Sequence, residues 1–234
     1  MTAHCDHRAM PVLVPAGACG AWAAASPVHG VDVWLVDLAL DDDAVARAES
    51  SLTPAELARA WRGTPAVRRR RVLLRASLRS FVGAELGMDP VRVPIHTTPA
   101  GRPFVAGGGV DVSCTASGVL GLVAIGRVCR IGVDVETVAP WSPAVLEEGW
   151  LSDTERLALA RLPAPDRALA TTRCWTQKEA VLKAAGTGLR TDPAATVTSV
   201  GCTDGVVAGW KIRDVPVPDG WVASLALAPE KTHS

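Results

Sequence analysis

Glu179 and Lys183 stand four residues apart in the stretch Trp175-Thr-Gln-Lys-Glu-Ala-Val-Leu-Lys-Ala-Ala-Gly-Thr-Gly-Leu189. On a helix that spacing puts both on one face. A carboxylate beside an ammonium offers a proton acceptor next to a phosphate clamp. It is also the commonest kind of surface pair, worth about 0.3–0.5 kcal/mol. The pattern around the pair predicts the helix: Ala180/Ala184 and Val181/Ala185 form a small apolar stripe. Gly186 and Gly188 end it, because glycine accepts the left-handed turn that closes a helix.

Arg130-Ile-Gly-Val-Asp-Val-Glu136 adds a second chemical group. Its alternation predicts a strand with Ile131, Val133 and Val135 on one face and Gly132, Asp134 and Glu136 on the other. The two carboxylates then lie about 7 Å apart at the backbone. Side by side they repel unless a cation lies between them. A hard divalent ion suits oxygen ligands, and magnesium takes one or two carboxylates together with substrate phosphates. The plainer reading is two solvated acids on an exposed strand.

Gly132-Val-Asp134-Val-Glu136, followed some forty residues on by Trp175-Thr-Gln-Lys178-Glu179-Ala180-Val-Leu-Lys183-Ala-Ala-Gly186-Thr-Gly188, resembles the 4'-phosphopantetheinyl transferases of the surfactin-synthetase-activating type. Both motifs match at every fixed position. The resemblance implies an α+β, pseudo-dimeric fold of two halves with the active site in the cleft between them. It implies transfer of the 4'-phosphopantetheine arm of coenzyme A to a serine of an acyl or peptidyl carrier protein. Such a reaction releases 3',5'-adenosine diphosphate. It serves polyketide, nonribosomal peptide or fatty-acid synthases. The implied cofactor is Mg²⁺, with Mn²⁺ as a substitute. Asp134, Glu136 and Glu179 would be its ligands, Glu179 the base and Lys183 the clamp on the pyrophosphate. The alternative is a non-catalytic relative that binds coenzyme A or the carrier.

The elements around these motifs are legible in outline. Val31–Leu38 predicts a strand, followed by a turn at Asp41-Asp-Asp43. Thr53-Pro54-Ala-Glu56 is a capping box with proline at the first helical position. A short helix carrying Arg59 and Arg62 follows and stops at Gly63. A long helix starts at Thr64-Pro65 and runs to Gly87. Val67, Leu74, Leu78, Phe81, Val82 and Leu86 line its apolar side. Arg68, Arg69, Arg70, Arg71, Arg75 and Arg79 lie opposite, without interleaved acids, which predicts a local positive field suited to a polyanionic ligand. By the resemblance, Arg59, Arg62 and Arg70 meet the phosphates of coenzyme A, with a shift of one position allowed at Arg70.

Short strands are expected at 91–93 and 104–105, around Gly101-Arg102-Pro103, where the family places Arg102 and Pro103 against adenine. Val112–Gly118 predicts a strand into a turn. There Thr115 keeps the hydroxyl of the family's serine, while Ser113 and Ala116 replace its asparagine and histidine. Strands follow at 119–125 and 130–136, then a capping box at Ser152–Glu155 and a long helix at about 166–185. Weak strands are expected at 196–200, 205–212 and 221–227. Gly30-Val-Asp-Val33 recurs as Gly132-Val-Asp-Val135 with the same sequence of elements after each. This suggests an arm at 1–29, one half at 30–127 and a second at 128–234. Trp34 stands in the first copy where Glu136 stands in the second, so the acidic pair occurs once.

Composition narrows the function classes. The 234 residues carry 24 basic and 24 acidic side chains. That balance argues against a nucleic-acid binder. No apolar run reaches the eighteen or so residues of a membrane span. The N-terminus lacks the order of a signal peptide, which predicts a cytoplasmic protein, read here as a monomer. Cys5, Cys19, Cys114, Cys129, Cys174 and Cys202 show no zinc-site spacing and read as reduced thiols. His4 and His7, in the N-terminal arm, are weak evidence for a metal.

Overall fold

The computed structural model of the chain describes residues 20–24, 28–188 and 191–229. His4, Cys5, His7, Cys19 and Leu189 lie outside them, with most of the N-terminal arm. The architecture is α+β, as expected. Strands β1 (Ala21–Ala23), β2 (Val31–Asp37), β5 (Asp111–Ser117) and β6 (Leu120–Gly126) form one antiparallel sheet in the order β1-β2-β6-β5. Strands β7 (Ile131–Thr137), β8 (Gly205–Val207), β9 (Trp210–Asp214) and β10 (Trp221–Leu227) form another in the order β7-β10-β9-β8. A small hairpin pairs β3 (Ile95–Thr97) with β4 (Pro103–Val105).

Six helices complete the described chain: α1 (Asp42–Glu49), α2 (Pro54–Ala60), α3 (Pro65–Leu86), α4 (Pro143–Leu146), α5 (Asp153–Arg161) and α6 (Ala164–Ala185). Helix α3 starts at the Thr64 cap and ends on left-handed Gly87. Its face Val72, Leu73, Ala76, Phe81 and Val82 packs with Val36, Val123 and Ile125 of the first sheet. Helix α6 ends on left-handed Gly186 and packs Ala180, Val181 and Ala184 against Ile212 and Ala226 of the second. Between the sheets lies a shared core to which β2, β6, β7 and β10 all contribute, including Val33, Leu122, Val133 and Leu225. Strand β2 is thus buried on both faces, which its alternation alone did not reveal.

The capping boxes at Thr53/Glu56 and Ser152/Glu155 form as read. Four local expectations are corrected. The acidic triplet is the start of a helix, not only a turn: Asp41 caps α1 by accepting from the Ala44 amide at 2.8 Å, and Asp42 and Asp43 favour its positive end. Residues Pro90–Arg92 make a 3-10 turn rather than a strand, capped by Asp89. No strand forms at 196–200, because Glu155 draws that segment in: its Oε1 accepts from Thr198 N at 2.8 Å and Thr198 Oγ1 at 2.6 Å. The stretch 205–212 is a hairpin, β8 turning through Ala208 and Gly209 into β9.

The sheets meet where β5 runs beside the free edge of β7. Side chains make this junction. Asp111 Oδ2 accepts from the Ile131 amide at 2.8 Å, Ser113 Oγ from Val133 at 3.1 Å and Ser117 Oγ from Thr137 at 3.2 Å. Three of the four alternate residues of β5 therefore supply an acceptor that a strand neighbour would otherwise provide. The fourth residue of that series, Thr115, faces the side chain of Asp134 instead.

Candidate active site at the junction of the sheets

Asp134 is 2 % exposed. Its Oδ1 accepts from Thr115 Oγ1 at 2.8 Å and from Lys183 Nζ at 2.5 Å. Lys183 Nζ also donates to Thr115 Oγ1 at 3.0 Å, closing a triangle. Burial alone would lower the Lys183 pKa, but the Asp134 carboxylate beside it pushes the ammonium above its ordinary range. Lysine is therefore charged across the physiological span.

Glu136 and Glu179 complete the group. Ser117 Oγ donates to Glu136 Oε2 at 2.8 Å. Burial and the charge of Asp134 raise the Glu136 carboxyl above its ordinary range. Glu179 is raised too, first by burial and then by Asp134 and Glu136, with Lys183 pulling the other way. The three carboxylates thus share one electrostatic neighbourhood.

Gly132 explains how helix and strand come so close. A Cβ there would lie 2.1 Å from the Ala180 carbonyl oxygen and 2.5 Å from the Ala184 amide. Only glycine lets α6 lie directly on β7, and this contact carries Glu179 and Lys183 to Asp134. The first copy of the motif has no such chemistry. Trp34 stacks on Phe81 at 4.5 Å, and Asp32 pairs with Arg127 at 2.6 Å.

The donor set fits a divalent cation. Asp134 Oδ2 and Glu179 Oε1 are buried and have no hydrogen-bond partner. Buried carboxylate oxygens without donors are costly, and a cation would relieve both. The set is not a finished cage, since no three His, Cys, Asp or Glu side chains among the described residues are grouped as ready ligands. Lys183 holds the other oxygen of Asp134. Magnesium needs only one or two carboxylates when phosphates supply the rest.

A cleft of about 550 Å³ lies alongside, lined by Arg59, Arg71, Arg75, His96, Gly101, Pro103 and Cys114 among others. Cys114, which lines the cleft, precedes Thr115, whose hydroxyl bonds Asp134, so β5 is the element common to the cleft and the acidic group. Thr115, Asp134, Glu136, Glu179 and Lys183 do not themselves line the cleft. Of the arginines expected in it, Arg59 is present, and Arg71 stands where Arg70 was expected. Arg62 and Arg70 do not line it.

The bare positive field expected on α3 is corrected. Arg68 pairs with Glu49, Arg69 with Asp42, and Glu56 forks across Arg75 at 2.5 Å and Arg79 at 2.7 Å. Acids from α1 and α2 compensate it, while the helix's own acid, Glu85, pairs with Arg127. Arg79 is not on a solvated face at all: it is 2 % exposed and donates to the carbonyls of Pro90, Val91 and Val93. Arg102 also departs from expectation. Gly101 and Pro103 face the cleft, but Arg102 points into the body of the protein, where Asp111 holds it at 2.6 Å.

One motif residue is structural, and a second packs at the edge of the site, where a Trp175 hydrogen bond opposes the rise of the Glu136 pKa. Lys178 is fully buried and donates at 2.9 Å to Glu155 Oε2 and to the carbonyls of Pro193 and Thr196. Trp175 packs with Trp141 and Trp150, as an anchor should. Sequence reading missed Ser117, Glu56, Arg75 and His96 as site neighbours. Only the capping box marked Glu56, and for a different reason.

Residues 130–206, which carry Asp134, Glu136, Glu179 and Lys183, match the family model of the 4'-phosphopantetheinyl transferase superfamily. Over those residues the chain resembles that superfamily. It is also similar to the 4'-phosphopantetheinyl transferase HetI of Nostoc sp., with 29% identity over 215 residues, spanning 85% of this chain and 87% of the relative. These likenesses support phosphopantetheine transfer to carrier proteins as the class of activity. None of the helices among the described residues is long and apolar enough to cross a membrane.

Proposed function

We propose that the chain transfers the phosphopantetheine arm of coenzyme A to a carrier-protein serine in a magnesium-dependent reaction of the surfactin-synthetase-activating type. The observation that carries this reading is the pair of unpartnered buried oxygens on Asp134 and Glu179 beside charged Lys183, with an arginine-lined cleft sharing strand β5. Asp134, Glu136 and Glu179 would hold the ion, and bound Mg²⁺ supplies charge neutralisation at the pyrophosphate.

The chain's own groups do the rest. Arg59 and Arg71 draw the anionic end of coenzyme A into the cleft, with Pro103 as an apolar wall. Arg62 and Arg70 stay outside the lining and add long-range field only. The serine hydroxyl attacks the phosphorus that bears the pantetheine arm. A new P–O bond to serine forms as the bond to the leaving phosphate breaks. The hydroxyl proton passes to Glu179, whose raised pKa suits it to a base. Lys183 donates to the leaving phosphate oxygen as charge builds there, and Thr115 holds Lys183 on that line. The products are the holo-carrier and 3',5'-adenosine diphosphate.

In this reading the chain works in the cytoplasm as a monomer. Residues 30–127 form one half and 128–234 the other, after an arm at 1–29. The carriers belong to polyketide, nonribosomal peptide or fatty-acid synthases. The test is the intact mass of apo-carriers of each kind after incubation with coenzyme A and Mg²⁺. Addition of one phosphopantetheine to at least one carrier supports the reading, and unchanged masses throughout oppose it.

A further inference from the structure

Arg102 sits in a turn whose neighbours face the ligand cleft, yet its own side chain faces away. It is 9 % exposed and makes three contacts. Its Nη2 donates to Asp111 Oδ2 at 2.6 Å and to the Ile131 carbonyl at 3.1 Å. Its Nε donates to the Lys183 carbonyl at 2.8 Å. Asp111 Oδ2 in turn accepts from the Ile131 amide at 2.8 Å. One guanidinium thus ties the β3–β4 hairpin to the start of β5, the start of β7 and the last turn of α6.

The α6 contact matters most. Lys183 lies in the final turn, where its carbonyl accepts only the 3.2 Å closing bond from the Gly186 amide and keeps a lone pair for a further donor. A cation at this end is favoured by the helix dipole as well as by the hydrogen bond. The carbonyl that Arg102 holds belongs to the residue whose ammonium grips Asp134 and Thr115. Arg102 also packs at the cap itself: its Cδ lies 3.5 Å from where a Gly186 Cβ would be. The hairpin that walls the cleft and the lysine that meets the leaving phosphate are therefore joined by one side chain.

Building on the reading above, we propose that Arg102 is a positioning residue for Lys183 rather than a contact for coenzyme A. It sets the backbone from which Lys183 reaches the reacting phosphate. Asp111 is the second part of this device, since it orients the guanidinium and fixes β7 at once.

The two roles separate by measuring coenzyme A affinity calorimetrically and transfer to an apo-carrier in a single turnover. Arg102→Lys keeps the charge but not the fork. It should lower single-turnover transfer about tenfold to a hundredfold, the span for a small misplacement of a reacting group. Coenzyme A affinity should stay within about threefold of the unaltered chain, as for a group acting only in the transition state. Asp111→Asn should behave likewise, and melting temperatures show that each variant is folded. In a Lys183→Ala background Arg102→Lys should cost little more, because residues acting through one another are not additive.

A contact with coenzyme A predicts the reverse: affinity lost about tenfold, transfer intact at saturation, and tighter binding by Asp111→Asn as the arginine is freed. That result, or full additivity with Lys183→Ala, overturns the proposal. Failure of the unaltered chain to transfer would count against the proposed function instead. The affinity of Arg102→Lys would still decide between contact and positioning.

Discussion

Asp134 takes two donors on one oxygen and none on the other, and Glu179 keeps a buried oxygen bare. Those asymmetries support the proposed roles, which residue type alone leaves open. Asp134 is held so firmly by Thr115 and Lys183 that only Oδ2 is free for a cation. Glu179 has no hydroxyl donor among its interactions, and burial with its acidic neighbours favours its protonated form. It is therefore suited to receive a proton. Glu179→Gln keeps shape and one oxygen while removing the basic site. Coenzyme A affinity should remain near that of the unaltered chain, while turnover falls about 10²–10⁴-fold, as for a lost general base. Calorimetry beside single-turnover mass analysis checks both halves. Full turnover in this variant would remove Glu179 from the chemistry.

Two elements, β7 and α6, carry the reacting groups, and their contact depends on a missing side chain. Gly132→Ala would force Cβ into the Ala180 carbonyl, and the helix would have to move. Overpacking of this kind costs about 1–3 kcal/mol. We expect a lower melting temperature together with loss of transfer, since displacement of α6 carries Glu179 and Lys183 away from Asp134. A variant with unchanged transfer would show that the close approach is not required. The motif spelled out this glycine, but its reason lay in the helix packed against it, which no strand pattern reveals.

Helix α6 is fixed at its other side by the buried Lys178–Glu155 pair. Burial would raise the Glu155 pKa, but hydrogen bonds from Lys178, Thr198 and Ser152 outweigh it and hold the carboxyl below its ordinary range. Its contribution to stability is therefore present above the unfolded-state pKa and is lost as pH falls through the lower folded-state value. Glu155→Gln leaves Lys178 without its counter-charge and should cost about 3–5 kcal/mol near neutrality. Melting temperatures followed from neutral pH into acid should converge for the two proteins. Parallel curves would contradict this account of the pair.

At the scale of the molecule, the fold places a ligand cleft from one sheet's helices beside an acidic group on the other sheet. The acidic group was legible because both motifs are local: a strand alternates and a helix repeats. Helices α2, α3 and α5 were legible from their caps and α6 from its apolar stripe and glycine stop, whereas the acidic start of α1 also suits a turn and the proline-bearing start of α4 reads as loop. The long-range pairings were not legible. Glu56 reaching Arg75 and Arg79, Glu49 reaching Arg68, and Asp111 turning Arg102 inward all join distant positions. Each converts an arginine that looked available for a ligand into one that is compensated or buried. The side-chain ladder from β5 to β7 was equally hidden, since serine, threonine and aspartate on a strand read only as a polar face.

The most direct test of the whole account is the intact mass of an apo-carrier protein incubated with the chain and coenzyme A, with Mg²⁺ present and then removed by excess chelator. The carboxylate group around Asp134 predicts addition of one phosphopantetheine in the first case, none in the second, and recovery when Mg²⁺ or Mn²⁺ is restored. Full transfer in excess chelator, or a carrier left unmodified with Mg²⁺ while coenzyme A still binds, would contradict it.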